Sequence, residues 1–275
     1  MPQQLRGERI ALFESRLAEE ISELVRRRGG VPVCVPAVRE RRRPAGRELA
    51  ALLDELKAEA SPLFLFSTGV ATAALFEEAR GLGRHRELRD AILRGLPVCR
   101  GPKPVAALHK EGIAAARRAS PPYTTEEFIA ALADVALDDR MVVLLHHGER
   151  NEPLVGALVS RGARVRELLL YQWELPEDTA PLAHLIEELE TGSFAAAAFT
   201  TQVQARNLIA VAAQTGHRET LLAALRSRVL IAAVGPTCAR VLTELGVPPQ
   251  VVPENPKMGA MLAALVERLA EGKAP

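Results

Sequence analysis

The sequence predicts an α/β fold of two similar domains, each a parallel sheet flanked by helices. Three observations lead there. Short apolar runs alternate with helical runs along almost all of the 275 residues, which is the pattern of parallel strands linked by crossover helices. Four landmarks then recur in the same order at a spacing of 133 or 134 residues. Gly29 answers Gly162, Phe66–Ser67–Thr68 answers Phe199–Thr200–Thr201, Gly101–Pro102 answers Gly235–Pro236, and Gly112 answers Gly246. Finally, only two copies are present, too few for a solenoid and natural for paired domains.

The elements follow from local pattern. Arg9–Phe13 reads as a strand. Leu17–Arg28 reads as a helix, with Leu17, Ile21, Leu24 and Val25 on one face and a stop at Gly29–Gly30. Val31–Val38 is a strand, Leu49–Lys57 a helix, Leu63–Phe66 a strand and Ala71–Arg80 a helix. Pro97–Arg100 is a strand and Val105–Lys110 a helix closed by Gly112. Thr124–Ala136 is a helix opened by a threonine, with Glu126 and Glu127 where acids suit the dipole. The order then restarts: Met141–Leu145, Val165–Tyr171, Ala195–Phe199, Val229–Val234 and Val251–Val252 as strands. Leu154–Ser160, Pro181–Glu190, Ala205–Ala213, Thr237–Leu245 and Met258–Leu269 are the intervening and final helices. Pro36–Pro44 and Trp173–Pro181 follow equivalent strands and are rich in proline or charge. If both carry the chain between domains, the first domain is residues 1–36 with 173–275, and the second is 37–172.

Composition narrows the function. Hydrophobic residues are 48%, charged residues 25% and the net charge is +1, so a general nucleic-acid surface is not expected. The run Arg39–Arg43 reads as a solvated loop. Aromatics are only 4%, which leaves a core of Ala, Leu and Val. Cys34, Cys99 and Cys238 are single and far apart, with no CxxC pair. That pattern suits reduced thiols, a cytoplasmic setting, and neither zinc nor a disulfide framework. No signal peptide or membrane span is expected.

Four corners stand out, each following an apolar strand and opening a helix: Ser67–Thr68–Gly69, Gly101–Pro102–Lys103, Thr200–Thr201–Gln202 and Gly235–Pro236–Thr237. Singly, each is ordinary capping chemistry. Together they lie where open parallel sheets bind ligands, and helix starts present N–H donors and a positive dipole end. A large polyanion fits such a set if the corners of both halves line one cleft. Neither GxxxxGK[ST] nor GxGxxG is present, so nucleotide binding lacks its motif. His146 and His147 end a strand with Glu149 near in sequence, yet adjacent side chains diverge and no third metal ligand is evident. No GxSxG elbow supports a serine triad. Tyr171, ending the run LLLY, can donate a proton or hydrogen bond. Arg150 is an anion clamp or an ordinary surface arginine.

At these residues the chain resembles the uroporphyrinogen-III synthase family. The resemblance is carried by AVGPTCARVLTELGV (Ala233–Val247), FTTQVQA (Phe199–Ala205), LLLYQW (Leu168–Trp173) and HHGER (His146–Arg150). In the first half, LFSTGVATAAL (Leu63–Leu75) and the Gly101–Leu108 corner add to it. It implies two α/β domains joined by a two-stranded connection, with the active site in a cleft between them. It implies an enzyme that acts on hydroxymethylbilane, a linear tetrapyrrole with eight carboxylates, and that needs no metal or organic cofactor. A monomer is expected on a separate ground, since no exposed apolar stripe demands a dimer. The terminal hydroxyl leaves as water, the azafulvene is attacked at ring D to give a spiro intermediate, and the macrocycle closes with ring D inverted. Tyr171 matches the family's tyrosine and would assist departure of the hydroxyl. Thr237 would hold a carboxylate. Ser67, Thr68, Gly101, Lys103, Arg150, Thr200, Thr201, Gln202, Gly235 and Pro236 are expected to line the substrate site. Two stretches depart from the family pattern. FESRL replaces the Thr-Arg-Pro of many bacterial members, so Arg16 takes no assigned role. GERNEP replaces Gly-Arg and sets Glu152 near an anionic substrate unless that side chain points away. The alternatives are a non-catalytic, regulatory module of the same fold that binds a tetrapyrrole or polyanion, and an unrelated small-anion receptor.

Overall fold

The computed structural model of the chain describes residues 5–271. The ends of the expected domain ranges, 1–4 and 272–275, lie outside the described residues. In chain order the elements are β1 (Arg9–Leu12), α1 (Ala18–Arg26), β2 (Val31–Cys34), β3 (Arg39–Arg42), α2 (Gly46–Glu55), β4 (Leu63–Phe66), α3 (Gly69–Gly81), α4 (His85–Arg94), β5 (Leu96–Cys99), α5 (Pro102–Lys110), β6 (Arg117–Arg118) and α6 (Thr125–Ala130). There follow β7 (Met141–Leu145), α7 (Glu152–Val159), β8 (Arg164–Leu168), β9 (Tyr171–Glu174), α8 (Ala180–Glu190), β10 (Ala196–Phe199), α9 (Gln202–Gln214), α10 (Arg218–Ser227), β11 (Leu230–Ala233), α11 (Pro236–Glu244) and α12 (Met258–Glu271).

Contacts divide the chain into two compact units. One takes the chain up to Arg39 and from Glu174 onward, and the other is Glu40–Trp173. The first unit holds a four-stranded sheet in the order β11-β10-β1-β2, and the second a five-stranded sheet in the order β6-β5-β4-β7-β8. The pairs within these sheets are parallel. The chain passes from unit to unit within β3 and within β9, and these two strands pair as a separate two-stranded sheet.

The two strand orders superimpose as β5 on β11, β4 on β10, β7 on β1 and β8 on β2. The correspondence extends to the edge. Val98 of β5 pairs with Arg117, and Ala232 of β11 bridges Val251, each partner lying 19 residues further on. Glycines confirm the repeat in backbone terms. Gly29 (φ 78°) and Gly162 (φ 82°) lie in the left-handed region after α1 and α7, as Gly112 and Gly246 do after α5 and α11, where glycine carries no steric penalty.

The halves are exchanged. The first repeat gives β1 and β2 to one unit and β4, β5 and β6 to the other. The second repeat gives β7 and β8 to that second unit and β10 and β11 to the first. Both central pairings, β1 with β10 (Ile10↔Ala196) and β4 with β7 (Leu63↔Val142), therefore join strands of different repeats.

Alternation along the central strands fills both faces of each sheet, as a parallel sheet covered by helices requires. In β4, Phe64 and Phe66 enter the cluster under α2, α3 and α4, while Leu63 and Leu65 join Phe128, Leu132 and Leu154 opposite. In β10, Ala197 and Phe199 meet α8, α9 and α10, while Ala196 and Ala198 meet α1 and α12. All seven phenylalanines are buried, and Phe13 stacks on Phe199 with ring centroids 4.6 Å apart. Phe64, Phe66 and Phe199 lie within strands, Phe13 and Phe194 flank β1 and β10, and Phe76 and Phe128 come from α3 and α6.

Several sequence expectations change. The run Arg39–Arg42 is a strand, because its charges are paired: Arg39 with Glu174 and Glu177, and Arg42 with Glu77. The strand expected over Val31–Val38 stops at Cys34 ahead of Pro36. The one expected over Val165–Tyr171 breaks at Leu169–Leu170, and Tyr171 opens β9 instead. The helix expected to Ala136 ends at Ala130 and tightens into three-residue turns, with Leu132, Ala133 and Val135 each bonding three residues back. α4 escaped notice because charge dominates it and its buried face is only Leu88, Ala91 and Ile92; α10, also missed, buries Leu221, Leu222, Ala224 and Leu225.

Exchange of strands makes a prediction. Fragments split between Asp138 and Asp139, in the loop before β7, should each be unfolded alone by circular dichroism and recover helical signal when mixed. Two independently folding halves would contradict the exchanged pairing.

Candidate functional site

The carboxyl end of the second unit's sheet brings four segments together. β4 leads to Ser67–Thr68 and α3, β5 to Arg100–Gly101 and α5, and β7 to His146. β8 passes through Leu169–Leu170 to Tyr171. Thr68 is the N-cap of α3, and its Oγ1 accepts the N–H of Ala71 at 3.1 Å. The same oxygen lies 3.2 Å from the Tyr171 hydroxyl. Tyr171 is 3% exposed and packs into the core cluster that contains Phe64 and Phe66. Its ring tilts against Trp173, two residues along the same strand, which in turn meets His147 edge-on. Ser67 is buried beside them. Gly69 has no room for a side chain, since a Cβ there would lie 2.9 Å from the carbonyl oxygen of Lys103. The α3 and α5 starts are thereby held in contact.

Gly101 opens α5 in extended conformation, with Pro102 in the first turn and no side-chain cap. Lys103 is exposed. In the first unit, Gly235 opens α11 in the same way, with Pro236 in the first turn and again no side-chain cap. Both helix starts keep N–H donors that side chains have not claimed. Thr237 is half-buried, and its hydroxyl has no hydrogen-bond partner among the described residues.

The α9 corner differs. Thr201 caps the helix and forms a capping box with Gln204. The fully buried Gln204 accepts the N–H of Thr200 at 2.8 Å and of Thr201 at 3.2 Å through Oε1. Its amide donates to Glu14 at 3.2 Å, and Thr200 donates its hydroxyl to the same carboxylate. Glu14 belongs to FESRL. The corner that sequence set equal to Ser67–Thr68 is therefore closed by its own side chains. The residue matching Gln204 in the second unit is Ala71, which has no polar group to play that part. Gln202, the first residue of α9, is half-buried. Sequence reasoning missed Glu14 and Gln204, although T-T-x-x-Q is a capping-box signature.

Arg150 is already engaged. Its guanidinium grips Glu167 through two bonds of 2.6 and 2.8 Å and also holds Glu152. A substrate carboxylate would have to displace one of these acids. GERNEP thus has a structural role: Asn151 caps α7 by accepting the N–H of Leu154 at 3.2 Å, and Glu152 sits in the first turn against Arg150. His146, 2% exposed, completes the network. Its Nε2 meets Glu167 at 2.7 Å, and its Nδ1 accepts the N–H of Asn151 at 3.3 Å. A cavity of about 220 Å³ beside it is lined by Arg43, Glu48, His146, Arg150 and Glu167. The larger cavity, about 440 Å³, lies along α4 and the end of α2, the stretches that lead into β5 and β4 at their amino ends.

The network's electrostatics follow from this geometry. Burial holds the His146 imidazole below its ordinary value; Arg150 neutralises Glu167, and protonating Nδ1 would cost the bond from Asn151. The Arg150 guanidinium holds the Glu167 carboxyl below the usual range. Burial pushes the Cys99 and Cys238 thiols up to about 12, which leaves them protonated and unsuited to nucleophilic work. Among the described residues, no three His, Cys, Asp or Glu side chains gather as a metal site, and no helix is long and apolar enough to cross a membrane.

Fold and site define the class: a duplicated parallel α/β protein with an uncapped helix start at a strand end in each unit and, in the second unit, a buried, hydrogen-bonded tyrosine. Residues 19–263 match the family described as uroporphyrinogen-III synthase HemD, and the chain belongs to that family. It is 31% identical over 267 residues to the uncharacterized protein YjjA of Bacillus subtilis strain 168, covering 97% of this chain and 98% of that one. Among solved structures, it resembles a mutant uroporphyrinogen III synthase from the extremely thermophilic bacterium Thermus thermophilus at 27% identity, with TM-score 0.75 over 97% of this chain and all of that one. A wild-type crystal of the Thermus synthase matches at 28% identity with TM-score 0.61, over the same share of each chain.

A pH dependence follows. The folded His146 titrates below the unfolded value near 6.5, so the unfolded chain binds more protons as pH falls through that range, and stability drops. Glu167 contributes stability above about pH 4.5 that is lost as pH falls through its lower folded value. The melting temperature should therefore decline from about pH 7.5 to 5.5, and His146→Gln should flatten that limb. An unchanged slope in the variant would remove His146 as its cause.

Proposed function

We propose that the protein is a uroporphyrinogen-III synthase that closes hydroxymethylbilane with inversion of ring D. The observation that carries this reading, in a chain of that family, is the Tyr171 hydroxyl set 3.2 Å from Thr68 Oγ1 where β4 gives way to α3. Thr68 Oγ1 accepts from Ala71 and keeps both a second lone pair and its proton, so either hydroxyl can donate in the Thr68–Tyr171 pair. When Thr68 donates, the phenolic proton is directed away from it.

In this reading Tyr171 donates that proton to the terminal hydroxyl of the bilane. The carbon–oxygen bond breaks, water leaves, and an azafulvene cation remains. The substituted carbon of ring D attacks it to form the spiro intermediate. That intermediate opens, recloses at the free position and loses a proton, which restores the phenol. The substrate supplies both nucleophile and electrophile, so the protein's work is to hold one conformation and stabilise charge. The uncapped starts of α5 and α11 suit carboxylates through their N–H groups, and the Thr237 hydroxyl adds a donor. Arg150 and the α9 corner take a structural part, because their polar groups are already paired.

Supplied with hydroxymethylbilane generated in place, the protein should give predominantly isomer III. Isomer I alone, from folded protein, would contradict the reading and favour a non-catalytic binding module. Tyr171→Phe is expected to lower turnover at least tenfold, about 1.4 kcal/mol of barrier, and an unchanged rate would remove Tyr171 from the mechanism. Thr237→Val should weaken binding of uroporphyrin I, a stable octacarboxylate, without lowering the melting temperature. Unchanged affinity with reduced stability would make Thr237 a helix-start residue only.

A further inference from the structure

Arg100 follows β5 at the same sheet end, and its backbone N–H donates to the Phe66 carbonyl at 3.0 Å. Its counterpart in the other repeat is Val234, 134 residues on, whose N–H donates to the Phe199 carbonyl at 2.9 Å. The two positions share backbone role and neighbours, yet differ in side chain. Val234 packs against the hydrophobic clusters of its unit. Arg100 is half-buried, and its guanidinium makes no hydrogen bond or ion pair among the described residues. This contrasts with other arginines of the same unit, such as Arg80, Arg84, Arg117 and Arg150, each held by a carboxylate. Among the described residues, the charge interaction on Arg100 is with the Tyr171 phenol, and burial holds the guanidinium below its ordinary value.

An unpaired, half-buried cation costs stability unless something outside the fold compensates it. The repeat supplies an internal control, since the fold accepts valine at this place. We propose that Arg100 is a substrate-binding residue that takes a carboxylate of the tetrapyrrole beside Tyr171, so that the bound acid group completes a pairing the fold leaves open. The assignment rests on the synthase reading above and deepens it. A planar guanidinium can hold a carboxylate through two parallel bonds. A carboxylate fixed there sets the register of the chain of pyrroles against the phenol. The uncapped α5 start adds the backbone N–H of Lys103, since Pro102 and Pro104 on either side have none.

The test uses the intact protein, uroporphyrin I as the probe, and the variants Arg100→Met and Arg100→Lys. Arg100→Met should weaken uroporphyrin binding about tenfold or more, the loss expected for one charge-assisted contact. Its melting temperature should stay level or rise, because a desolvated charge has gone. Arg100→Lys should keep most of the affinity. Undiminished binding by Arg100→Met overturns the assignment while leaving the synthase reading intact. If Arg100→Met also melts lower, Arg100→Lys decides: retained affinity upholds the contact, and equal loss in both variants overturns it. A native protein that neither binds uroporphyrin I nor forms isomer III takes down the synthase reading, and this inference with it.

Discussion

Everything in this molecule depends on two parallel pairings between strands of different repeats, β1 with β10 and β4 with β7. A parallel pair has no local turn to set it, so its register must come from burial on both faces. The strands meet that demand with uninterrupted small and apolar side chains: Ile10–Phe13 against Ala196–Phe199, and Leu63–Phe66 against Val142–Leu145. Because the strands are exchanged, neither repeat can bury its own central strand. The β3–β9 pair carries both crossings, which explains why a run of arginines is a strand and not a loop.

The same exchange delivers the chemistry. Tyr171 begins β9, the return crossing, and so stands near the carboxyl ends of β4, β5 and β7 without belonging to that sheet. Its ring is fixed by the core and its hydroxyl by Thr68. Duplication gave two sets of corners, and side-chain substitution then made them unequal. Gln204 and Glu14 close one corner in the first unit. Ala71 leaves its counterpart open, and Arg100 stands where the other repeat has Val234. Polar groups satisfied within the fold hold shape, while those left unsatisfied are available to a ligand.

Much of this was legible in the sequence. The strand–helix alternation, the repeat, and the Gly-Pro and Ser/Thr corners all lie in short local patterns. Tyr171 was visible as the polar end of an apolar run. What escaped was pairing at long range. GERNEP looked hostile to an anionic substrate because nothing local shows Glu167, 17 residues on, meeting Arg150 alongside Glu152. Arg39–Arg42 looked like a solvated loop because Glu174 and Glu77 are distant in sequence. Glu14, in FESRL, drew no reading because its partner Thr200 is 186 residues on. Arg100 was within reach: setting CRGPKP beneath AVGPTC already places an arginine against a valine.

The inequality of the corners is the central claim, and amide hydrogen exchange with and without uroporphyrin I tests it most directly. Ligand-dependent protection should appear at Ser67–Val70, Arg100–Val105 and Gly235–Cys238. It should be weak at Thr200–Gln204, where side chains already hold the amides. Protection that is equal at both Ser/Thr corners, or confined to Thr200–Gln204, would contradict the account.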